Sequence, residues 1–252
     1  MIKLLFTLGG GFMGKIRVHL EVLGRYADKG VKRGDVIVVI DVFRCSSTIV
    51  MALKNGAKAV IPVKTVKEAI KLHEKNPDWI LAGERMGRKP KDFQLGNSPL
   101  EYRREAVKGK YIILTTTDGT KAIEKSKGAE DILIGALINV SAVSKLALSI
   151  ARSKGKDITL VASGRCGEFS LEDFLCAGKI AELMRGSEVE FSDSALAALL
   201  ASRGAGRAIG EIAKRSYHAT YLKSLGLSRD VDFCSRLDLT DKVPSVHDGI
   251  AT

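Results

Sequence analysis

The chain has 252 residues, 45% of them hydrophobic, enough to bury a full α/β core. Lysine and arginine outnumber aspartate and glutamate 40 to 29, a net charge of +11, yet the basic residues are spread from Lys3 to Lys242 and aromatics are only 6%. That scatter argues against a nucleic-acid partner, which needs charge gathered on one face with aromatics interleaved, and favours a solvated surface with a positive cleft for a small anion.

No apolar stretch reaches the roughly 18–20 residues of a membrane helix. The start, through Gly14, lacks the cleavage pattern of a signal peptide and reads as a flexible leader over residues 1–14, with a single domain over 15–252. Gly9-Gly10-Gly11-Phe12-Met13-Gly14 matches a dinucleotide-binding pattern by letter. Immediately after it, Ile16, Val18, Leu20 and Val22 recur with a period of two, so a strand stands where that motif needs a helix.

Strands are predicted at 16–23, 36–40, 59–63, 79–82, 111–114, 132–134 and 158–162, and helices at 46–54, 66–75, 99–106, 120–125, 140–152 and 171–185. The near-continuous Val/Ile/Leu strands are those of a mostly parallel or mixed sheet buried on both faces. The alternating β and α rhythm gives a three-layer α/β/α class with one central sheet. Beyond Gly186 the pattern becomes helical (195–200, 207–214, 217–225) and ends in an irregular tail, 238–252. Cys45, Cys166, Cys176 and Cys234 show no paired metal spacing and lie in or beside apolar runs, as reduced thiols do in a cytoplasmic protein.

Ligands of open α/β sheets bind off the carboxyl ends of the strands, and polar segments lie at that end of four of them. The first, Asp41-Val-Phe-Arg44-Cys45-Ser46-Ser47-Thr48, offers a carboxylate, a guanidinium fork and hydroxyls at a helix start, an arrangement suited to metal and phosphate. The second opens with Gly83-Glu84-Arg85 and runs to Asn97-Ser98-Pro99, which reads as a helix cap. The third is the hydroxyl-rich turn Thr115-Thr116-Thr117-Asp118-Gly119-Thr120. In the fourth, Arg165 adds a cation, and Ser170 and Asp173, with Glu172 between them, begin the next helix in a capping-box manner. Asp41, Glu84, Glu172 and Asp173 are thus candidate hard-oxygen ligands, and carboxylates without His or Cys favour magnesium over zinc. His19, His73, His218 and His247 fall outside all four segments and read as structural or surface residues, His218 being the one nearest to interest.

Together the segments VIVVIDVFRCSSTIVMALKNGA, LAGERMG, FQLGNSPLEY, GKYIILTTTDGTKAI and SGRCGEFSLEDFLCAGKI, and beyond them DVDFCSRLDLTDKVP, resemble the 2-phosphosulfolactate phosphatase family in order and spacing from about Gly34 to Asp238. The resemblance implies a three-layer α/β/α fold and Mg²⁺-dependent hydrolysis of 2-phospho-3-sulfolactate to sulfolactate and phosphate, in coenzyme M biosynthesis. It places the family's motif residues on Asp41, Arg44, Glu84, Arg85, Asn97, Ser98, Thr115–Thr117, Gly119, Thr120, Arg165, Glu172 and Asp173. A homodimer is compatible with it. The family usually has Asn in its TTTNGT segment, where this chain has Asp118.

The expected mechanism places Mg²⁺ on Asp41, Glu84 and Asp173 to polarise a phosphoryl oxygen, with Arg44 and the hydroxyl turn neutralising the others. A cysteine phosphatase would need arginine six positions after Cys45, where Met51 stands, and a D-x-D aspartyl-phosphate enzyme would need Asp at Phe43. The competing class is a non-catalytic anion- or nucleic-acid-binding protein, whose affinity would fall steeply with salt and ignore magnesium.

Overall fold

The computed structural model describes residues 14–252. The leader expected at 1–14 therefore lies, except for Gly14, outside the described residues. In chain order the elements are β1 (Ile16–Glu21), α1 (Asp28–Arg33), β2 (Val36–Ile40), α2 (Cys45–Lys54), β3 (Ala59–Pro62), α3 (Val66–Lys75), β4 (Ile80–Gly83), α4 (Arg104–Val107), β5 (Tyr111–Thr115), α5 (Gly119–Ser126) and β6 (Ile132–Gly135). They continue with α6 (Val140–Lys154), β7 (Ile158–Ala162), α7 (Leu171–Leu183), β8 (Val189–Phe191), α8 (Asp193–Ala205), α9 (Ile209–Ala213), α10 (Tyr217–Ser224), α11 (Ser228–Cys234), β9 (Val246–His247) and β10 (Ile250–Ala251).

The α/β class with a helical C-terminal portion stands, but the strands divide between two sheets. One is all parallel in the order β6-β2-β7-β1-β8. The other runs β4-β5-β3-β10-β9, parallel among its first three strands and antiparallel at β10 and β9. The tail expected to be irregular supplies those last two strands, Ala251 pairing with Val60 of β3.

The alternation of side chains along β2 shows why its VIVVI run is apolar throughout. Val36, Val38 and Ile40 enter the core under α6 and α7. Ile37 and Val39 enter a second core, shared with Ile49 of α2 and with Ile112 and Leu114 of the other sheet. Both faces of β2 are thus buried.

The helix expected at 99–106 is reduced to α4. Tyr102 is buried instead, its hydroxyl donating to the Gly96 carbonyl at 2.7 Å, while Asn55 Nδ2 donates to the Tyr102 carbonyl at 2.6 Å. These tertiary bonds outweigh local helix propensity. Elsewhere local signals hold: Thr65 and Glu68 close a capping box on α3, and Ser170 Oγ accepts from Asp173 N at the start of α7. Among the described residues no helix is long and apolar enough to cross a membrane.

Candidate active site

The carboxyl ends of β2 and β7 in one sheet and of β4 and β5 in the other converge, with α10 over them, on a pocket of about 40 Å³. All four strand tips read from the sequence contribute to it.

At the tip of β2, Asp41 is 8% exposed. Its Oδ1 accepts from Cys45 N at 3.1 Å, at the beginning of α2. Burial pushes the Asp41 carboxyl up from its ordinary 3.8 to about 7, with the Asp118 charge adding to the rise and His218 opposing it. Arg44 is buried too, donating from Nη1 to Asp230 Oδ2 at 2.7 Å and from Nη2 to the Gly87 carbonyl at 2.9 Å. The next three hydroxyls are spent on the fold. Ser46 Oγ accepts from Asp41 N, Ser47 Oγ donates to the Val42 carbonyl, and Thr48 Oγ1 donates to the Asn97 carbonyl. They shape the turn and do not line the pocket.

Glu84, at the tip of β4, lines the pocket, and its carboxylate accepts three hydrogen bonds from protein donors. Thr117 N reaches Oε1 at 2.6 Å, while Gly87 N at 2.7 Å and Thr117 Oγ1 at 3.1 Å reach Oε2. It ties the β4 and β5 tips together. Arg85 turns away to the Lys64 carbonyl and Thr115 Oγ1. Asn97 does face the pocket, and its buried Oδ1 has no partner among the described residues. Ser98 Oγ donates to Asp230 Oδ1 at 2.7 Å, so Asp230 joins Ser98 to Arg44.

In the threonine turn, Thr116 and Thr120 bond reciprocally, each backbone N–H reaching the other's hydroxyl at 3.0–3.1 Å. Thr117 and Asp118 line the pocket. Burial raises the Asp118 carboxyl, although Cys166 N donates to its Oδ2 at 2.8 Å. Gly119 is required by closeness: a Cβ there would stand 2.4 Å from Asp41 Oδ2 and 2.5 Å from Cys45 Cβ.

Arg165, after β7, lies over Tyr217 and Tyr221 at 4.9 and 4.6 Å from their ring centroids, on the pocket rim. Its loop repeats that of Arg85: Arg85 and Arg88 exchange backbone bonds around Met86-Gly87, as Arg165 and Glu168 do around Cys166-Gly167. Asp173 is buried outside the pocket, accepting from Val42 N at 2.8 Å and Gly164 N at 3.2 Å. Burial, then the Glu172 and Asp41 charges, pushes it well above the carboxylate range, as suits a strut between the β2 and β7 tips. Glu172 meets His218, Oε1 to Nδ1 at 2.9 Å. Burial alone would raise Glu172, but His218 brings its carboxyl below the usual value.

The four expected ligands therefore do not form one cluster, and among the described residues no group of three or more His, Cys, Asp or Glu is arranged to hold a metal. Asp173 serves backbone amides, Glu172 serves His218, and Glu84 is engaged by Thr117 and Gly87. Asp41 and Asp118 remain, two carboxylates that line the same pocket. Burial raises both, and the Asp118 charge lifts Asp41 further. Magnesium uses one or two carboxylates and fills its shell with water and substrate oxygens, so this pair fits such an ion where a full protein cage does not exist.

The sequence marks His218 only as the histidine nearest to interest and Asp118 only as a departure from the usual Asn, and it gives Asp230 no site role. His218 stands in no motif, and Asp230, the first residue of the DVDFCSRLDLTDKVP segment, has its partners Arg44 and Ser98 186 and 132 positions away. Only the packing of α10 and α11 against the strand tips brings them in, with Tyr221 donating to the Met86 carbonyl at 3.0 Å and Phe43 edge-on to the His218 ring.

A family model described as 2-phosphosulpholactate phosphatase matches residues 25–249. The chain is 47% identical over 213 residues to the probable 2-phosphosulfolactate phosphatase of Thermotoga maritima, covering 84% of this chain and 89% of that one. It is 44% identical over 234 residues to the protein of the same description from Caldanaerobacter subterraneus subsp. tengcongensis, covering 91% and 95%. With that of Clostridium perfringens the identity is 38% over 239 residues, covering 93% and 95%.

Proposed function

The chain belongs to the 2-phosphosulpholactate phosphatase family, and from that premise we propose that its pocket hydrolyses 2-phospho-3-sulfolactate to 3-sulfolactate and phosphate with Mg²⁺ as cofactor. Membership of a phosphatase family points to a divalent cation in general terms. The reading is supported above all by the convergence of Asp41, Asp118 and the Glu172-held His218 on one pocket with room for a single small group. Such a reaction would belong to coenzyme M biosynthesis, as the resemblance implies; the cysteines without paired spacing favour a cytoplasmic setting, and a homodimer is compatible with the reading. The scatter of basic residues along the chain and the small size of the pocket support a small ester, and not a nucleic acid, as the partner.

Asp41 and Asp118 are the residues that would hold Mg²⁺, whose contribution when bound is to polarise a phosphoryl oxygen. Asn97 presents an amide to the bound group, and Arg165 faces its negative charge from the rim. Glu172 occupies Nδ1 of His218 and leaves Nε2 as the nitrogen available to the pocket. Protonated at Nε2, His218 donates to the ester oxygen as the P–O bond breaks, so that sulfolactate leaves as the alcohol. Water supplies the oxygen that joins phosphorus, and its proton returns to the pocket. Phe43 and Leu222 make the apolar part of the wall and limit solvent.

Phosphate release from racemic phosphosulfolactate, with and without Mg²⁺, tests the reading in the parent protein and in Asp41→Asn. Magnesium-dependent turnover that collapses in the variant is expected. Undiminished turnover in the variant would remove Asp41 from the site, and absence of turnover with any divalent metal would remove the substrate.

A further inference from the structure

The pocket has free space for one small group, about 40 Å³, whereas the proposed ester carries a carboxylate and a sulfonate besides its phosphate. Of the arginines expected to clamp those acids, Arg44 is neutralised by Asp230 and Arg85 is turned onto the Lys64 carbonyl and Thr115. A second cavity of about 440 Å³ adjoins the pocket, sharing Thr117, Asp118 and Cys166 as a common wall.

Arg25, Lys121 and Lys125 line this cavity. Lys121 and Lys125 are four apart on α5 and so share one face. Arg25 stands on a short 3₁₀ turn, Gly24–Tyr26, that faces α5. None of the three makes an ion pair or side-chain hydrogen bond within the described residues, although Asp28 is near: its carboxylate is taken by Lys32 at 2.7 Å. The wall also contains Ser163, whose buried Oγ has no partner among the described residues. The turn reaches α5 only because residue 24 is glycine. A Cβ there would stand 2.8 Å from Ala122 Cβ and 3.2 Å from the Ser163 carbonyl. Three cations without an ion-pair partner thus line one cavity whose wall, among the described residues, has a single acid, Asp118. The Lys121 charge acts on that acid against burial, so the wall keeps a positive excess that suits an anion.

We propose that this cavity is the binding site for the non-reacting acidic end of the substrate, its carboxylate and sulfonate, while the phosphoryl group occupies the pocket across Thr117 and Asp118. The assignment rests on the phosphate-ester reading of the pocket. Arg25, Lys121 and Lys125 supply the counter-charge, and the Ser163 hydroxyl donates to one acid oxygen. Selectivity for a polyacidic ester over a simple alkyl phosphate originates here and not at the reacting centre.

The test is calorimetric titration of 3-sulfolactate, which bears both acids but no phosphate, into the full chain. Lys121→Ala and Lys125→Ala, both at exposed positions, are expected to weaken binding by about tenfold each, and Lys121→Arg to restore most of it. Lys110→Ala, at the opposite end of β5, removes the same net charge and is expected to bind as the parent does. Sulfolactate that fails to bind the parent, binds Lys121→Ala and Lys125→Ala undiminished, or loses as much affinity in Lys110→Ala overturns the site. Sulfolactate binding that responds as expected, in a protein that does not release phosphate from phosphosulfolactate, would leave the cavity standing and remove the proposed reaction.

Discussion

Arg44 Nη1 lies 2.7 Å from the carboxylate of Asp230, although the two are 186 positions apart and their side chains are only 3% and 5% exposed. The pair fastens α11 to the tip of β2, and Ser98 holds the other Asp230 oxygen. Removing one partner of a buried pair strands the other charge, at a cost of about 3–5 kcal/mol. Asp230→Ala should therefore lower the unfolding free energy in urea by that amount and also disturb catalysis, since Arg44 lines the pocket. An unchanged unfolding curve would mean that Arg44 finds solvent or another acceptor.

Asp41 makes stability depend on pH in a definite sense. Its carboxyl is held at about 7 in the folded chain against an ordinary 3.8. The folded state thus keeps a proton that the unfolded state gives up. The stabilisation is full below the ordinary value, declines as pH rises, and is gone above about 7. In metal-free protein, denaturant midpoints should fall between pH 5 and pH 8 for the parent and fall less for Asp41→Asn, which has no such proton. Parallel profiles for the two proteins would show that Asp41 does not titrate in this range.

Gly119 sits against the same carboxylate. A methyl group at this position would meet Asp41 Oδ2 and Cys45 Cβ at 2.4 and 2.5 Å. In a helix, Gly→Ala is normally favourable by roughly 0.5–1 kcal/mol. Here overpacking should reverse the sign and cost about 1–3 kcal/mol, with phosphate release impaired because Asp41 must shift. Thermal unfolding and turnover of Gly119→Ala check both, and a more stable, fully active variant would contradict the close approach.

The parts that were legible in the sequence are those fixed by neighbours in the chain. Every strand tip in the site was visible, because an apolar run such as Val36–Ile40 that ends in Asp41-Val-Phe-Arg44 has a local signature. The division into two sheets was not, since β3, β4 and β5 have the same hydrophobic pattern as the strands of the first sheet and only long-range pairing separates them. Nor could side-chain direction be read. Ser46, Ser47 and Thr48 look like phosphate ligands by type, yet each bonds to backbone, and Asp173 looks like a metal ligand but joins Val42 to Gly164. His218 lies 46 positions from Glu172, with no motif around it, and becomes readable only once α10 is placed.

If His218 protonates the leaving oxygen, its loss should depend on how poor the leaving group is. His218→Ala should lower kcat for an alkyl phosphate by about 10²–10⁴-fold, and much less for 4-nitrophenyl phosphate, whose phenolate leaves without a proton. Glu172→Gln keeps a hydrogen-bonding side chain beside Nδ1 but removes its charge, and should show the same leaving-group dependence at smaller amplitude. Equal losses on both substrates would assign His218 to binding or packing.

Asp118 is the position at which this chain differs from the Asn usual in the segment it resembles, and the geometry gives the difference a consequence. Its carboxylate lies in the pocket with that of Asp41 and contributes to the rise of Asp41. A second charge there strengthens the attraction for a divalent ion and increases the repulsion when the ion is removed. Chelation should abolish phosphate release, and readdition of Mg²⁺ should restore it. Asp118→Asn, which keeps one hard oxygen but no charge, should retain turnover at saturating Mg²⁺ while requiring about tenfold more of it for half-activation, equivalent to about 1.4 kcal/mol. In the metal-free state the same variant should be the more stable protein above pH 7, because the Asp41 charge is then buried without a neighbouring one. A half-activation concentration identical to that of the parent would remove Asp118 from the metal-holding pair and leave Asp41 alone in that role.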